Sequence, residues 1–201
     1  KKSNDLPYLA GHQLLKAHAK AVDVYRKKYQ PHQKGQIGIT NNCDWREPLT
    51  TSPEDQAAAQ RALEFFLAWF ADPIYKGDYP EVMKQNLGDR LPTFSEEEIN
   101  LIKGSSDFFG LNHYTTMLAS NATELPADGS VYGNGGLSED QQVNLSVSPE
   151  WKMTAMQWAI VPWGCKKLLL WIADRYDNPP LYITENGCAF DDQLIDGQVI
   201  D

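Results

Sequence analysis

Three short runs with strand character are separated by long stretches with helical character, and this alternation limits the fold more than any other feature of the chain. Parallel strands need a crossover connection, normally a helix, so strand–helix–strand order predicts a parallel sheet in an α/β fold. The first run is Gln36-Ile37-Gly38-Ile39-Thr40, β-branched and bounded by Gly35 and by Asn41-Asn42. The second is Phe108-Phe109-Gly110-Leu111-Asn112-His113-Tyr114-Thr115. The third is Leu181-Tyr182-Ile183-Thr184-Glu185, which Asn186-Gly187 then turns.

The helices between them carry their own start signals. After a polar opening loop that ends at Pro7, residues 8–29 place Leu14, Leu15, Ala17, Ala21, Val22 and Tyr25 at helical spacing. Ser52-Pro53-Glu54-Asp55 opens a long helix with a serine cap, a proline in the first turn and acidic residues behind it. Its apolar face runs through Ala62, Phe65, Phe66, Trp69 and Phe70. Residues 72–92 are broken by Pro and Gly, with one helical pattern over 80–86. Ser95 followed by Glu98 is a capping box for a helix to about residue 103, and Pro162-Trp163-Gly164 leads into another to residue 176. Residues 119–147 show no helical or strand period and read as one long loop, and 188–201 read as an acidic loop.

Glu185 is the leading candidate for chemistry. It continues the apolar stripe of Leu181 and Ile183 to the end of its strand, where desolvation makes an unpaired carboxylate costly. Asn112 and Tyr114 share a face of the second strand and can hydrogen-bond a carboxylate or a sugar hydroxyl, while His113, on the other face, reads as structural. Asn41 and Asn42 end the first strand, where they serve either a turn or a ligand. His12 and His18 lie on different faces of their helix, so they make no metal pair, and both read as packing histidines.

Five segments in this order, YLAGHQLLKAHAKAVDVYR, GITNN, FFGLNHYTT, WAIVPWG and YITENG, resemble glycoside hydrolase family 1, the β-glucosidase family. The resemblance implies part of a (β/α)8 barrel and a retaining β-glycosidase acting on a β-glucoside or cello-oligosaccharide without a cofactor. By the same resemblance Glu185 matches the nucleophile and Tyr114 the residue that orients it, with Asn112 nearby. Trp158 matches one wall of the leaving-group subsite, and Asn41, Asn42 and Trp45 fall at the barrel mouth. His113 stands where many members have tyrosine. Retention requires a second carboxyl group that protonates the departing oxygen and later activates water. Its Asn-Glu-Pro motif is absent, since Glu47-Pro48 follows Arg46 and lies in the wrong place. A closed barrel takes about 250 residues, so the 201 here are expected to form a single partial domain. The first strands, the acid/base glutamate and the last strand then lie outside it, supplied by the parent chain or another chain.

Composition narrows the alternatives. A formal net charge of -9 argues against nucleic acid or an anionic membrane as the main partner, and no apolar run approaches a membrane span. Cys43, Cys165 and Cys188 are odd in number and widely spaced, which fits neither a disulfide framework nor a metal site and favours an intracellular location. Asn121-Ala122-Thr123 and Asn144-Leu145-Ser146 match the glycosylation pattern, which matters only in a secreted protein. A second reading is a non-catalytic barrel that binds sugar or a protein partner, and a third is a relative with another glycone preference, such as galactosides, phosphorylated glucosides or thioglucosides.

Overall fold

The computed structural model describes residues 2–122 and 137–200. Helix α1 (Lys2–Val24) passes through a π-helical turn at Tyr25–Tyr29 into the short α2 (Gln30–Gln33), which Lys34 ends in the left-handed conformation. Strands β1 (Ile39–Asn42) and β2 (Trp45–Pro48) follow. Next come α3 (Pro53–Leu63), a second π turn at Glu64–Ala68, α4 (Trp69–Tyr75), α5 (Glu81–Leu87) and α6 (Glu96–Ile102). Then β3 (Phe109–Asn112) and β4 (Thr116–Asn121) precede α7 (Leu137–Gln141) and β5 (Val143–Ser146). The chain closes with α8 (Pro162–Arg175), β6 (Leu181–Glu185), β7 (Gln193–Ile195) and β8 (Gln198–Ile200).

The three anticipated strands form one parallel sheet in the order β1-β3-β6. The three do not close a barrel, and β1 and β6 each keep an open edge among the described residues. Tyr182 and Ile183 are 54% and 47% exposed on β6. The expected buried stripe therefore stops at Leu181, which packs on the core, because among the described residues no strand pairs with the outer edge of β6.

Several boundaries differ from the sequence expectation, each for a local reason. Pro7 lies inside α1 rather than ahead of it, where its missing N–H forgoes one backbone bond. The first strand begins at Ile39 and includes both asparagines, because its partner offers a register from Phe109 to Asn112. The second splits after Asn112, and Thr116 starts β4 in another sheet, β2-β4-β5. That sheet contradicts the long loop expected over 119–147: β4 runs to Asn121 and β5 pairs with it antiparallel, with α7 just before β5. The middle of the loop and Thr123 of the first glycosylation pattern lie outside the described residues. The acidic tail also holds a hairpin, β7-β8, whose turn residues Asp196 and Gly197 both have positive φ. Asp-Gly is a strong signal for that turn.

Other expectations meet their counterparts. The Ser52 side chain accepts from Asp55 N, and Ser95 with Glu98 forms a complete capping box. Tyr8, Leu15 and Ala19 of α1 pack with Phe65, Trp69, Ile74, Met83 and Ile102. Leu168, Ile172 and Tyr176 seat α8 on Phe109 and Leu111 of β3. Burying a side chain of this size is worth about 1.5–3 kcal/mol, so α8 holds the sheet from behind. Ala58, Ala59 and Ala62 let α3 approach Ala119 and Val143 closely. His12 and His18 are taken up by Tyr79 Oη and Ser105 O, and burial lowers the pKa of both.

Asp72 is the polar hub behind the sheet. It receives Arg175 through Nε at 2.8 Å and Nη2 at 2.6 Å, and Tyr176 Oη at 2.8 Å, while Glu64 takes Arg175 Nη1 at 2.9 Å. Burial works against the charge on Arg175, but the carboxylates outweigh it and raise its pKa. At the other end of α8 a Cβ on Gly164 would stand 1.9 Å from Thr116 Oγ1 and 3.2 Å from Trp45 Cβ. Gly164→Ala is expected to cost about 1–3 kcal/mol by overpacking, read as a lower denaturation midpoint. An unchanged midpoint would show that α8 is free to shift there.

Candidate active site

The parallel sheet carries its chemistry at the C-terminal strand ends. Its register shifts between β3 and β6: Leu111 faces Ile183, but Asn112 faces Glu185, leaving Thr184 as an extra residue. Such bulges bend a strand and redirect its side chains near functional sites. The shift breaks the period-two alternation on which the continuous Leu181-Ile183-Glu185 stripe depended. Asn42, Asn112 and Glu185 consequently stand in one row across the three strands, about 4.8 Å apart from one strand to the next.

Tyr114 Oη donates to a carboxylate oxygen of Glu185. This hydrogen bond, then desolvation, then the Glu185 charge raise the pKa of Tyr114, so the phenol keeps its proton beyond the ordinary tyrosine range. Glu185 is exposed, not buried as the stripe implied. The Trp158 ring lies 5.2 Å from the Tyr114 ring at 50°, with the indole 38% exposed. Asn112 accepts from Thr184 Oγ1 at 2.7 Å and reaches the glutamate strand through that bond. Three of the anticipated residues therefore meet directly, with Asn112 alongside.

Asn41 and Asn42 make no side-chain contact with this group among the described residues. Both line a cavity of about 450 Å³ that α1 and the Phe66–Phe70 region form with β1, and buried Asn41 Nδ2 has no hydrogen-bond partner among the described residues. Asn42 shares only the row with Asn112 and Glu185. Trp45 Nε1 donates to Glu47, which also holds Lys167. His113 is buried and bonds Cys43 O through Nδ1 at 3.0 Å, as a structural residue would.

Two organising residues escaped the sequence reading. Asp44 Oδ1 accepts from the backbone N–H groups of Tyr114 and Thr115, which sets the bend that presents the phenol. Asn186 Nδ2 donates to His113 O at 2.7 Å and ties the turn after Glu185 to the same bend. Asp in Cys43-Asp44 and Asn in Asn186-Gly187 are ordinary turn residues, and only contacts some 70 positions away distinguish them. Beside these ties lies a second cavity of about 350 Å³, lined by His113, Tyr114, Thr154, Cys165, Asn186 and Cys188 among others. Among the described residues no group of three or more His, Cys, Asp or Glu is placed to hold a metal, and no helix is long and apolar enough to cross a membrane.

This arrangement has close counterparts. The model for glycosyl hydrolase family 1 matches residues 1–201. β-Glucosidase 4 of rice (Oryza sativa subsp. japonica) is 45% identical over 186 residues, covering 92% of this chain and 38% of the rice protein. Oleuropein β-glucosidase of olive (Olea europaea) is 44% identical over 182 residues, with 90% and 33% covered. Among solved structures, a mutant rice β-glucosidase in a covalent complex with Glc superposes with a TM-score of 0.86 at 37% identity, over 95% of this chain and 40% of that one. The chain thus spans about a third to two-fifths of the length of the relatives it matches. Its sheet is part of a (β/α)8 barrel, and the chain belongs to glycosyl hydrolase family 1.

Proposed function

We propose that the protein containing this chain is a retaining β-glycosidase that hydrolyses terminal β-glucosyl residues of a β-glucoside or cello-oligosaccharide. The observation that carries this reading is the hydrogen bond from Tyr114 to the Glu185 carboxylate at adjacent parallel strand ends, with the Trp158 ring beside it. Glu185 attacks the anomeric carbon and forms a glycosyl-enzyme. Tyr114 holds the attacking carboxylate in one orientation, Trp158 offers an exposed aromatic face to the leaving group, and Asn112 and Asn42 extend the polar row. The second carboxyl group lies outside residues 1–201. Asp44, the other carboxylate whose charge reaches Tyr114, is occupied by two backbone N–H groups. The rest of the barrel comes from the parent polypeptide or another chain, which the open edges of β1 and β6 support. No cofactor is needed for this chemistry. A non-catalytic role as a sugar- or partner-binding barrel is not favoured by relatives named as β-glucosidases.

The test is covalent trapping. Incubating the full polypeptide with an activated 2-fluoro-β-glucoside is expected to add one fluoroglucosyl group, located by peptide mass mapping on the segment holding Glu185. A folded polypeptide that acquires no adduct, or acquires it on another carboxylate, would overturn the assignment.

A further inference from the structure

Two segments cross from one sheet to the other at the same place. Strand β1 ends at Asn42 and β2 begins at Trp45, while β3 ends at Asn112 and β4 begins at Thr116. The crossings run side by side, with Cys43 N donating to Asn112 O at 2.9 Å and Trp45 N to Thr115 O at 3.2 Å. Tyr114 sits in the second crossing, outside the paired registers of both sheets. Its neighbours are tied on their own account: His113 N donates to Glu185 O at 3.0 Å, His113 Nδ1 to Cys43 O at 3.0 Å, and Thr115 Oγ1 to Ala159 O at 2.8 Å. Among the described residues the Tyr114 N–H has one partner, Asp44 Oδ1 at 3.3 Å, which also accepts from Thr115 N at 3.1 Å.

The second carboxylate oxygen of Asp44 faces a cation. Arg46 is 4% exposed, and its Nη1 stands 4.0 Å from Asp44 Oδ2 with no hydrogen-bond partner among the described residues. A buried guanidinium is costly unless a carboxylate answers its charge. The Phe66 ring, carried by the π turn at Glu64–Ala68, lies 5.3 Å from Arg46 Cζ and packs on the same group.

We propose that Asp44 is a positioning residue of this site, with Arg46 as its counter-charge: by holding the Tyr114 backbone, Asp44 sets the direction in which the phenol meets Glu185. The inference rests on the reading of Glu185 as nucleophile. Without the Asp44 oxygen, two N–H groups in the bend lose their acceptor, and the bend turns to find another. The phenol oxygen lies at the far end of its side chain, so a small rotation of the backbone displaces Oη more than it displaces the backbone itself. A misplacement of about 1 Å can cost about a hundredfold in rate. The loss falls on orientation, hence on kcat rather than KM.

The test compares Asp44→Ala with Asp44→Asn in the full polypeptide, both carrying Arg46→Met so that no unanswered guanidinium is left. The asparagine oxygen still accepts from both N–H groups, whereas alanine offers them nothing. With alanine, kcat for an aryl β-glucoside is expected to fall about tenfold to a hundredfold with KM changed less than about threefold, and asparagine recovers most of that loss. Adding Tyr114→Phe is expected to cost the asparagine protein about tenfold or more, but the alanine protein about threefold or less, because its phenol is already misdirected. An aspartate that only supports the fold would give equal further losses. A second readout needs no turnover. In protein carrying fluorotyrosine, the fluorine resonance that Tyr114→Phe removes is expected to titrate at lower pH with alanine than with asparagine, since the bond to Glu185 that raises the phenol pKa is loosened. Asp44→Leu takes the place of Asp44→Ala if the alanine protein does not fold. Arg46→Met is also expected to raise the denaturation midpoint of Asp44→Ala, by removing the orphaned charge. Equal kcat with alanine and asparagine, equal further losses from Tyr114→Phe, or coincident fluorine titrations would overturn the positioning role, and a midpoint that Arg46→Met fails to raise would overturn the counter-charge. Absence of turnover in every protein, the unsubstituted one included, would defeat the Glu185 reading instead, while the titrations would still decide whether Asp44 aims Tyr114.

Discussion

Glu185→Gln in the full polypeptide lowers kcat for an aryl β-glucoside by about 10⁴-fold or more, the scale set by removing a covalent nucleophile. The amide has nearly the shape of the carboxylate, and its oxygen can still accept from Tyr114 Oη, but it lacks the charge that the proposed attack on the anomeric carbon requires. The loss is therefore expected without a fall in the melting temperature and without an adduct from the fluoroglucoside. Tyr114→Phe keeps the ring against Trp158 and removes only the donor. Its expected loss is smaller, about tenfold to a hundredfold, and falls on kcat more than on KM, because the proposed nucleophile would remain but would no longer be held in one orientation. Glu185→Gln retaining a tenth or more of the turnover would eliminate the nucleophile assignment.

Asp72→Ala destabilises the fold by about 3–5 kcal/mol, the cost of breaking a buried ion pair from one side. Asp72 is 3% exposed and is the common acceptor for Arg175 and Tyr176. Without it the Arg175 guanidinium keeps Glu64 and the face of Trp171, and the Tyr176 hydroxyl loses its acceptor. The cost is read as a lower melting temperature of the full polypeptide. Lys84→Ala is the natural contrast: Lys84 bridges Asp78 and Glu81 on the surface, where each such pair is worth about 0–1 kcal/mol. If the two substitutions shifted the melting temperature equally, Asp72 would not be the hub that holds α8 to α4.

The helices were legible because their signals are local. A capping oxygen three residues before its N–H, a proline in the first turn and an apolar stripe at helical spacing all act within about a dozen residues. The Ser52 and Ser95 caps and the start of α8 at Pro162 accordingly lie where the residues place them. Leu181–Glu185 also matches its expected range, since β-branched and aromatic residues bounded by Pro180 and Asn186-Gly187 leave little choice. Strands β2, β4 and β5 were not legible. Trp45-Arg46-Glu47-Pro48 has no strand signature of its own, and it becomes a strand because Thr116–Asn121 lies beside it to complete its hydrogen bonds.

At the site the division is sharper. Residue type, spacing and family order single out Glu185, Tyr114 and Trp158 in the sequence itself, because a carboxylate, a phenol and an indole keep their chemical character wherever the backbone puts them. Which of them touch was decided by the tertiary structure. The shifted register at Asn112 sets Glu185 in a row with it, Asp44 bends the backbone that aims Tyr114, and the open edge of β6 leaves the expected stripe exposed beyond Leu181. Hydrogen-bond register and side-chain contact depend on atoms supplied by distant parts of the chain, whereas caps, turns and helical periodicity are completed by their own neighbours.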